Sequence, residues 1–329
     1  MSPDLLDMVL LLVKLGVIYF VILTLAANLV LAERRILGWI QDRKGPNRVG
    51  PEGILQPVAD LIKMLTKEDL RPAAADKWIF LLAPAMAAIP AILSFAVVPF
   101  GETFTIFGRE VTMQIADLNV GILFFLALSS IGVYGIALGG WASNSKYALL
   151  GGLRGLAQLI SYELSMGLSL VPIVMLARSF SLREIVEAQT VPFILYQPLA
   201  FVIFFVSILA ECRRVPFDLP EAESELVAGF HSEYSGLRFG LFFVGEYINI
   251  IVLGGIAATF FLGGWRGPLL PPVVWFTLKV LAFSFLFIWI RGTFPRLRYD
   301  QLMHLGWKAL TPLALLNILI TGWWLMLTT

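Results

Sequence analysis

The chain has 329 residues, 58% of them hydrophobic and 14% charged, with a formal net charge of +1. That balance excludes both a soluble globular domain and a disordered chain, and a charge so near zero gives no global field for nucleic acid, which is excluded as a partner. The single Cys212 forms neither an intrachain disulfide nor a thiolate cluster, and the only histidines, His231 and His304, fall in polar connections rather than in apolar runs suited to haem ligation.

A bilayer core about 30 Å thick needs roughly 17 to 25 apolar residues per helix. Eight stretches meet that need, at about 8–32, 78–100, 118–141, 156–177, 193–212, 237–262, 271–290 and 309–327. They are continuously apolar rather than alternating, which predicts helices and not a barrel. The expectation is an all-α polytopic membrane protein. Its first run lacks a basic flank and a small-residue cleavage site, so it is read as a retained span. An even number of spans puts both termini on one side. The odd-numbered connections carry eighteen Lys and Arg residues, whereas the even ones carry only Arg109, Arg178, Arg183 and Arg266. Positive residues favour the cytoplasmic side, so both termini are expected outside.

In the first connection, residues 33–77, Ile54, Val58, Leu61 and Leu65 form one helical stripe opposite Gln56, Asp60, Lys63 and Lys67. This predicts an amphipathic helix lying at the interface, with Pro57 in its first turn, where proline is tolerated. Further on, TFTIFGREVTM (103–113) alternates around Gly-Arg and reads as a small β-hairpin, with a plain polar loop as the alternative.

Ionisable side chains inside spans come next. Each costs roughly 2.5–3.5 kcal/mol at mid-bilayer on insertion scales, so each needs a reason. Glu163 is about eight residues into its span and Glu246 about nine, which places both roughly 12–14 Å from the cytoplasmic ends; Lys279 lies at similar depth from the outer end and Glu211 closes the fifth run. Two readings stand: structural pairs, such as a glutamate against Lys279, or a proton path of carboxyls. The loop at 213–236 then adds Asp218, Glu221, Glu223, Glu225 and Glu233. As a short helix, EAESELVAGF would put Glu221 and Glu225 on one face with Asp218 a turn earlier, and such crowding raises carboxyl pKa values. A solvated acidic surface is the alternative.

Four segments carry a resemblance: ERRILGWIQDRKGPNRVGPEGILQPVADLIKMLTKED (33–69), YELSMGLSL (162–170), PFDLPEAESELVAGFHSEYSGLRFGLFFVGEY (216–247) and GWRGPLLPP (264–272). They resemble the family of quinone-chamber H subunits of proton-pumping NADH-quinone oxidoreductase, the respiratory complex I, from the first span to the last. The resemblance implies an eight-helix membrane subunit, one membrane domain over 1–329, in a bacterial inner membrane. It places Glu33, Arg34, Arg35, Gln41, Arg43 and Asp60 around the quinone chamber, with Arg48 shaping it. Arg34 and Arg35 also suit a purely topological role. The family's proton path falls on Glu163, Glu211, Asp218, Glu221, Glu223, Glu225, Glu233 and Glu246. Quinone, either ubiquinone or menaquinone, is the implied substrate, with no cofactor held by this chain. FMN and iron-sulfur clusters belong to partners, among them an iron-sulfur subunit beside the quinone site and antiporter-like membrane subunits; lipid surrounds them. Two alternatives accompany this reading. One is the related membrane subunit of an energy-converting hydrogenase or a ferredoxin- or deazaflavin-linked dehydrogenase. The other is a proton-coupled transporter, which the lack of an obvious inverted repeat disfavours.

Overall fold

The computed structural model describes residues 5–106 and 109–328, with side chains at all of these except 5–7, 10, 106, 109–110 and 223–224. Helix α1 (Leu5–Ile40) continues beyond its predicted end through Glu33, Arg34 and Arg35. It is followed by α2 (Gln56–Thr66), α3 (Lys77–Ser94), strands β1 (Phe104–Ile106) and β2 (Arg109–Val111), α4 (Gly121–Ala142), α5 (Lys146–Ala177) and α6 (Leu182–Ala188). The chain then forms α7 (Pro198–Glu211), α8 (Glu223–Leu226), α9 (Gly236–Phe261), α10 (Pro272–Thr293) and α11 (Tyr299–His304), and a π-helical turn leads into α12 (Thr311–Thr328).

Among the described residues, seven helices are long and apolar enough to cross a membrane. The fifth predicted span is the exception. Its helix, α7, has 14 residues, a rise of about 21 Å against a core of about 30 Å. Its first residues are spent on a turn: Ile194 N–H donates to the Phe261 carbonyl at the end of α9 (3.0 Å) and Gln197 N–H to Phe193 (2.8 Å). Pro198 then starts the helix, which runs antiparallel to α9 with eight residues buried. The fourth span differs in the other direction, because α5 begins at Lys146 and Glu163 therefore lies seventeen residues into it. Lys146, Arg154 and the glycines between them look like a loop in sequence. Those glycines let backbones meet: a Cβ on Gly151 would fall 2.7 Å from Gly229 Cα.

The most enclosed helix is α9, whose apolar stretch is 78% buried, and α1, α3, α7 and α10 pack around it. Helix α2 lies across α1 and α9 with Pro57 in its first turn. Ile54, Val58, Leu61 and Leu65 are exposed, while Asp60 turns inward to accept from Arg34 (2.8 Å) and Gln56 (3.0 Å). An exposed apolar face over an anchored polar one is the signature of an interfacial helix. The hairpin also forms, pairing Phe104 with Val111 and Ile106 with Arg109; the turn residues 107–108 lie outside the described residues.

Among the described residues Lys279 is paired with no glutamate. Its ammonium donates to the carbonyls of Leu262 (2.7 Å), Gly264 (2.8 Å) and Arg266 (2.7 Å), closing the C-terminal end of α9. Beside it, Gln189 donates to the Thr259 carbonyl (2.7 Å) and accepts from Gly263 N–H (2.9 Å). The half-buried ammonium is thus matched by three carbonyls of the turn that follows α9. Lys279→Met should lower the stability of the purified protein by about 1.5–3 kcal/mol, the worth of a charged hydrogen bond, read as a lower melting midpoint that Lys279→Arg partly restores.

Candidate functional site

Glu33, on α1, is 4% exposed and sits where α1, α9, α10 and the loop after α7 converge. Its carboxylate accepts from Arg214 (2.9 Å), from Tyr247 on α9 (2.8 Å) and from Arg291 on α10. Arg214 is equally buried and bridges to Glu246 at 2.5 Å, with its guanidinium 4.6 Å from the Tyr247 ring centroid. Two carboxylates and the Arg214 guanidinium therefore share one dry site, with the partly exposed Arg291 at its edge. Desolvating such charges is tolerable only when opposite charges lie close, as Glu33 and Glu246 do to Arg214, although Nε and Nη2 of Arg214 have no hydrogen-bond partner among the described residues.

A second group lines the loop. Glu221 faces His231 (3.4 Å). Burial pushes its carboxyl up, but the His231 hydrogen bond and charge, with Arg213 and Arg214, bring it below its ordinary range. The expected shared face of Glu221 and Glu225 does not form. Ala222 takes a left-handed φ of 39°, α8 is a single turn from Glu223 to Leu226, and Val227 and Gly229 also have positive φ. A Cβ on Gly229 would lie 1.7 Å from the Pro220 carbonyl oxygen, so the loop closes too tightly for a continuing helix. Glu225 accordingly turns outward to Arg154 (2.7 Å) and Arg296 (3.7 Å), and the Arg154 hydrogen bond holds it below its usual range. The Glu223 side chain lies outside the described residues, and Glu233 is half-buried with no ion pair among them.

Asp218 behaves differently. Burial, and then the charges of Glu221 and Glu246, push it up to about 8, far above an ordinary aspartate near 3.9. Its folded value exceeds its unfolded one, so the folded chain keeps this proton between about pH 4 and pH 8 and its stability falls as pH rises through that window. A protonated-carboxyl infrared band should fade near pH 8 and be missing in Asp218→Asn. A spectrum in which every carboxyl titrates in the ordinary range would contradict the assignment.

The third group lies within the bundle. Ser129 and Ser130, adjacent on α4, donate to Glu211 on α7 (2.8 Å) and to Glu163 on α5 respectively. Glu211 and Arg213 border a cavity of about 30 Å³ with Ser94, Ser129 and Asn249, room for about two water molecules. Glu211 Oε2 and Arg213 Nη1 have no hydrogen-bond partner among the described residues, nor do Asp218 Oδ1 and Arg296 Nε. Buried polar atoms left in this way are uncommon in folded proteins.

The residues expected around a quinone divide into two sets. Glu33 belongs to the buried cluster. Arg34 and Asp60 tie α1 to α2, and Arg35 donates to the Glu52 carbonyl. Gln41 accepts from Arg43 (2.8 Å) on the surface, where Arg48 is also exposed. Sequence reasoning missed Arg214, Arg291, Arg296, Tyr247, Ser129, Ser130 and His231 as members of the site. In sequence Arg213 and Arg214 read only as cytoplasmic charges; the available signal was their position between a buried run and Pro216.

Fold and site together define a multi-pass, all-α membrane protein with a series of buried ionisable groups running from one end of the bundle into its interior. The chain belongs to the NADH dehydrogenase family, whose profile matches residues 13–322. It is 77% identical over 328 residues to an H subunit of NADH-quinone oxidoreductase from Geobacter metallireducens, covering 99% of this chain and 100% of that one. It is 64% identical over 327 residues to the H subunit of the same enzyme from Syntrophotalea carbinolica, covering 99% of each, and 52% identical over 301 residues to that of Protochlamydia amoebophila, covering 91% and 93%.

Proposed function

We propose that this chain is the membrane subunit of a proton-translocating NADH-quinone oxidoreductase that holds the quinone and passes the effect of its reduction to a chain of carboxyls. The observation that carries this reading is the succession of ionisable groups: Glu33, Arg214 and Glu246 meet in one cluster, Asp218 feels the Glu221 and Glu246 charges, and Glu211 faces Glu163 across Ser129 and Ser130. A change of charge at one end alters the cost of ionisation at the next, because neighbouring charges in a dry site interact strongly.

On this reading the seam of α1 and α2 admits a lipid quinone, with Arg34 and Asp60 at its polar edge and Arg35, Gln41, Arg43 and Arg48 framing the approach. Helix α2 supports this by presenting an exposed apolar face, Ile54, Val58, Leu61 and Leu65. Ubiquinone and menaquinone both fit the requirement. Electrons come from FMN and iron-sulfur clusters in partner subunits, and antiporter-like subunits receive the protonation change from Glu163 and Glu211. Loops 33–77 and 213–236 face the cytoplasm, both termini face outward, and the membrane is the bacterial inner membrane.

Gentle affinity purification of the tagged chain tests the assignment. Flavin and iron-sulfur absorbance should co-purify with it. A chain that purifies alone and is complete in transport would support the transporter alternative instead.

A further inference from the structure

An apolar slot of about 320 Å³ runs between α1, α9 and α10, from Val17 at one end to Ala32, the residue before Glu33, at the other. That stretch of α1 rises about 22 Å, more than one leaflet's half of a roughly 30 Å core. Over that length the volume gives a groove that one hydrocarbon chain can fill. Its polar lining residues are three among seventeen, and each spends a donor on its own helix. Asn28 donates to the Thr24 carbonyl (2.8 Å), Thr277 to Val273 (2.8 Å) and Ser284 to Val280 (2.9 Å), each on its own helix. The slot therefore selects hydrocarbon.

Lys14 stands beyond the slot's Val17 end. It lies one turn before Val17 and Ile18 on α1, and helical side chains lean toward the N-terminus, away from the slot and toward the hairpin. Its ammonium reaches Thr112, just after β2, at 3.3 Å, and it has no ion pair among the described residues. The Thr112 hydroxyl itself donates to the Gln114 carbonyl (3.3 Å). An ammonium with one neutral partner beside a hydrocarbon slot matches the phosphate and the chain of a single lipid molecule. We propose that this slot binds an acyl chain of an anionic phospholipid whose phosphate is held by Lys14.

The test uses the chain in its assembled membrane complex, reconstituted in vesicles of equal parts phosphatidylglycerol and phosphatidylcholine. One lipid or the other carries an acyl-chain diazirine, and adducts are mapped by mass spectrometry after irradiation. The phosphatidylglycerol probe should label 17–32 and 273–284 several-fold more than the lipid-facing surface of α12, and more than the phosphatidylcholine probe does. Val21→Trp, which fills the slot, should cut that labelling several-fold. Lys14→Ala should abolish the preference for phosphatidylglycerol and Lys14→Arg should keep it. Equal labelling by both probes in the unaltered protein, labelling no greater than at α12, or a photo-crosslink from position 21 to another subunit's helix would overturn the proposal.

Discussion

Arg214→Met abolishes quinone reduction and destabilises the protein more than any change at an exposed ion pair. Arg214 is 4% exposed and is held between Glu33 and Glu246, both buried. Removing it leaves two carboxylates in a dry site with only Arg291 and Tyr247 near Glu33. Breaking a buried pair from one side costs about 3–5 kcal/mol, whereas Arg183–Glu187, exposed on a helix surface, is worth at most about 1 kcal/mol. Arg214→Lys should rescue little, since an ammonium cannot reproduce the planar fork that reaches Glu33 and Glu246 while lying over Tyr247. The check is the melting midpoint of the purified protein together with NADH-driven quinone reduction. Wild-type values for Arg214→Met would mean that the cluster carries neither stability nor function.

Glu211→Gln lowers quinone reduction and proton uptake together, by about a hundredfold, the lower end of what losing a positioned proton-transfer group costs. Glutamine keeps the shape and can still meet Ser129, so the fold should survive while the exchangeable proton is lost. Glu163→Gln should behave alike, because Glu163 is held by the neighbouring hydroxyl of Ser130. Glu225→Gln separates a path from a mere acidic surface. Its carboxylate is exposed and shared between Arg154 and Arg296, so its loss should slow turnover only a few-fold. Equal effects at Glu225 and Glu211, or reduction at full rate without proton uptake in Glu211→Gln, would require a different route. Both rates are read in the same vesicle preparation.

Continuous apolar runs made the helices legible because lipid leaves the backbone no other way to satisfy its hydrogen bonds. The stripe Ile54, Val58, Leu61, Leu65 made α2 legible for a similar reason. Periodicity failed where packing overrode it. The start of α5 looks polar and glycine-rich, yet it is helical because Gly151 and Gly155 admit the loop that carries Pro220 and Gly229. The segment 193–197 is apolar, yet it is spent on a turn against the end of α9. At the site, Glu163, Glu211 and Glu246 stood out as charges in or beside apolar runs, and Glu33 only through the family resemblance. Their partners did not. Arg214 and Arg291 meet Glu33 across 181 and 258 residues, and nothing local in ECRRVPFD tells which guanidinium turns inward. The break at Ala222 was equally hidden, since alanine ordinarily favours the helix that Glu221 and Glu225 would have shared.

Coupling of quinone reduction to proton movement through this chain is tested by recording both in inverted membrane vesicles driven by NADH. Vesicles from cells that lack the chain are compared with vesicles from cells given it back. Quinone reduction and proton uptake should disappear together and return together with the intact chain. Unchanged reduction and uptake in vesicles lacking the chain would contradict the coupling role.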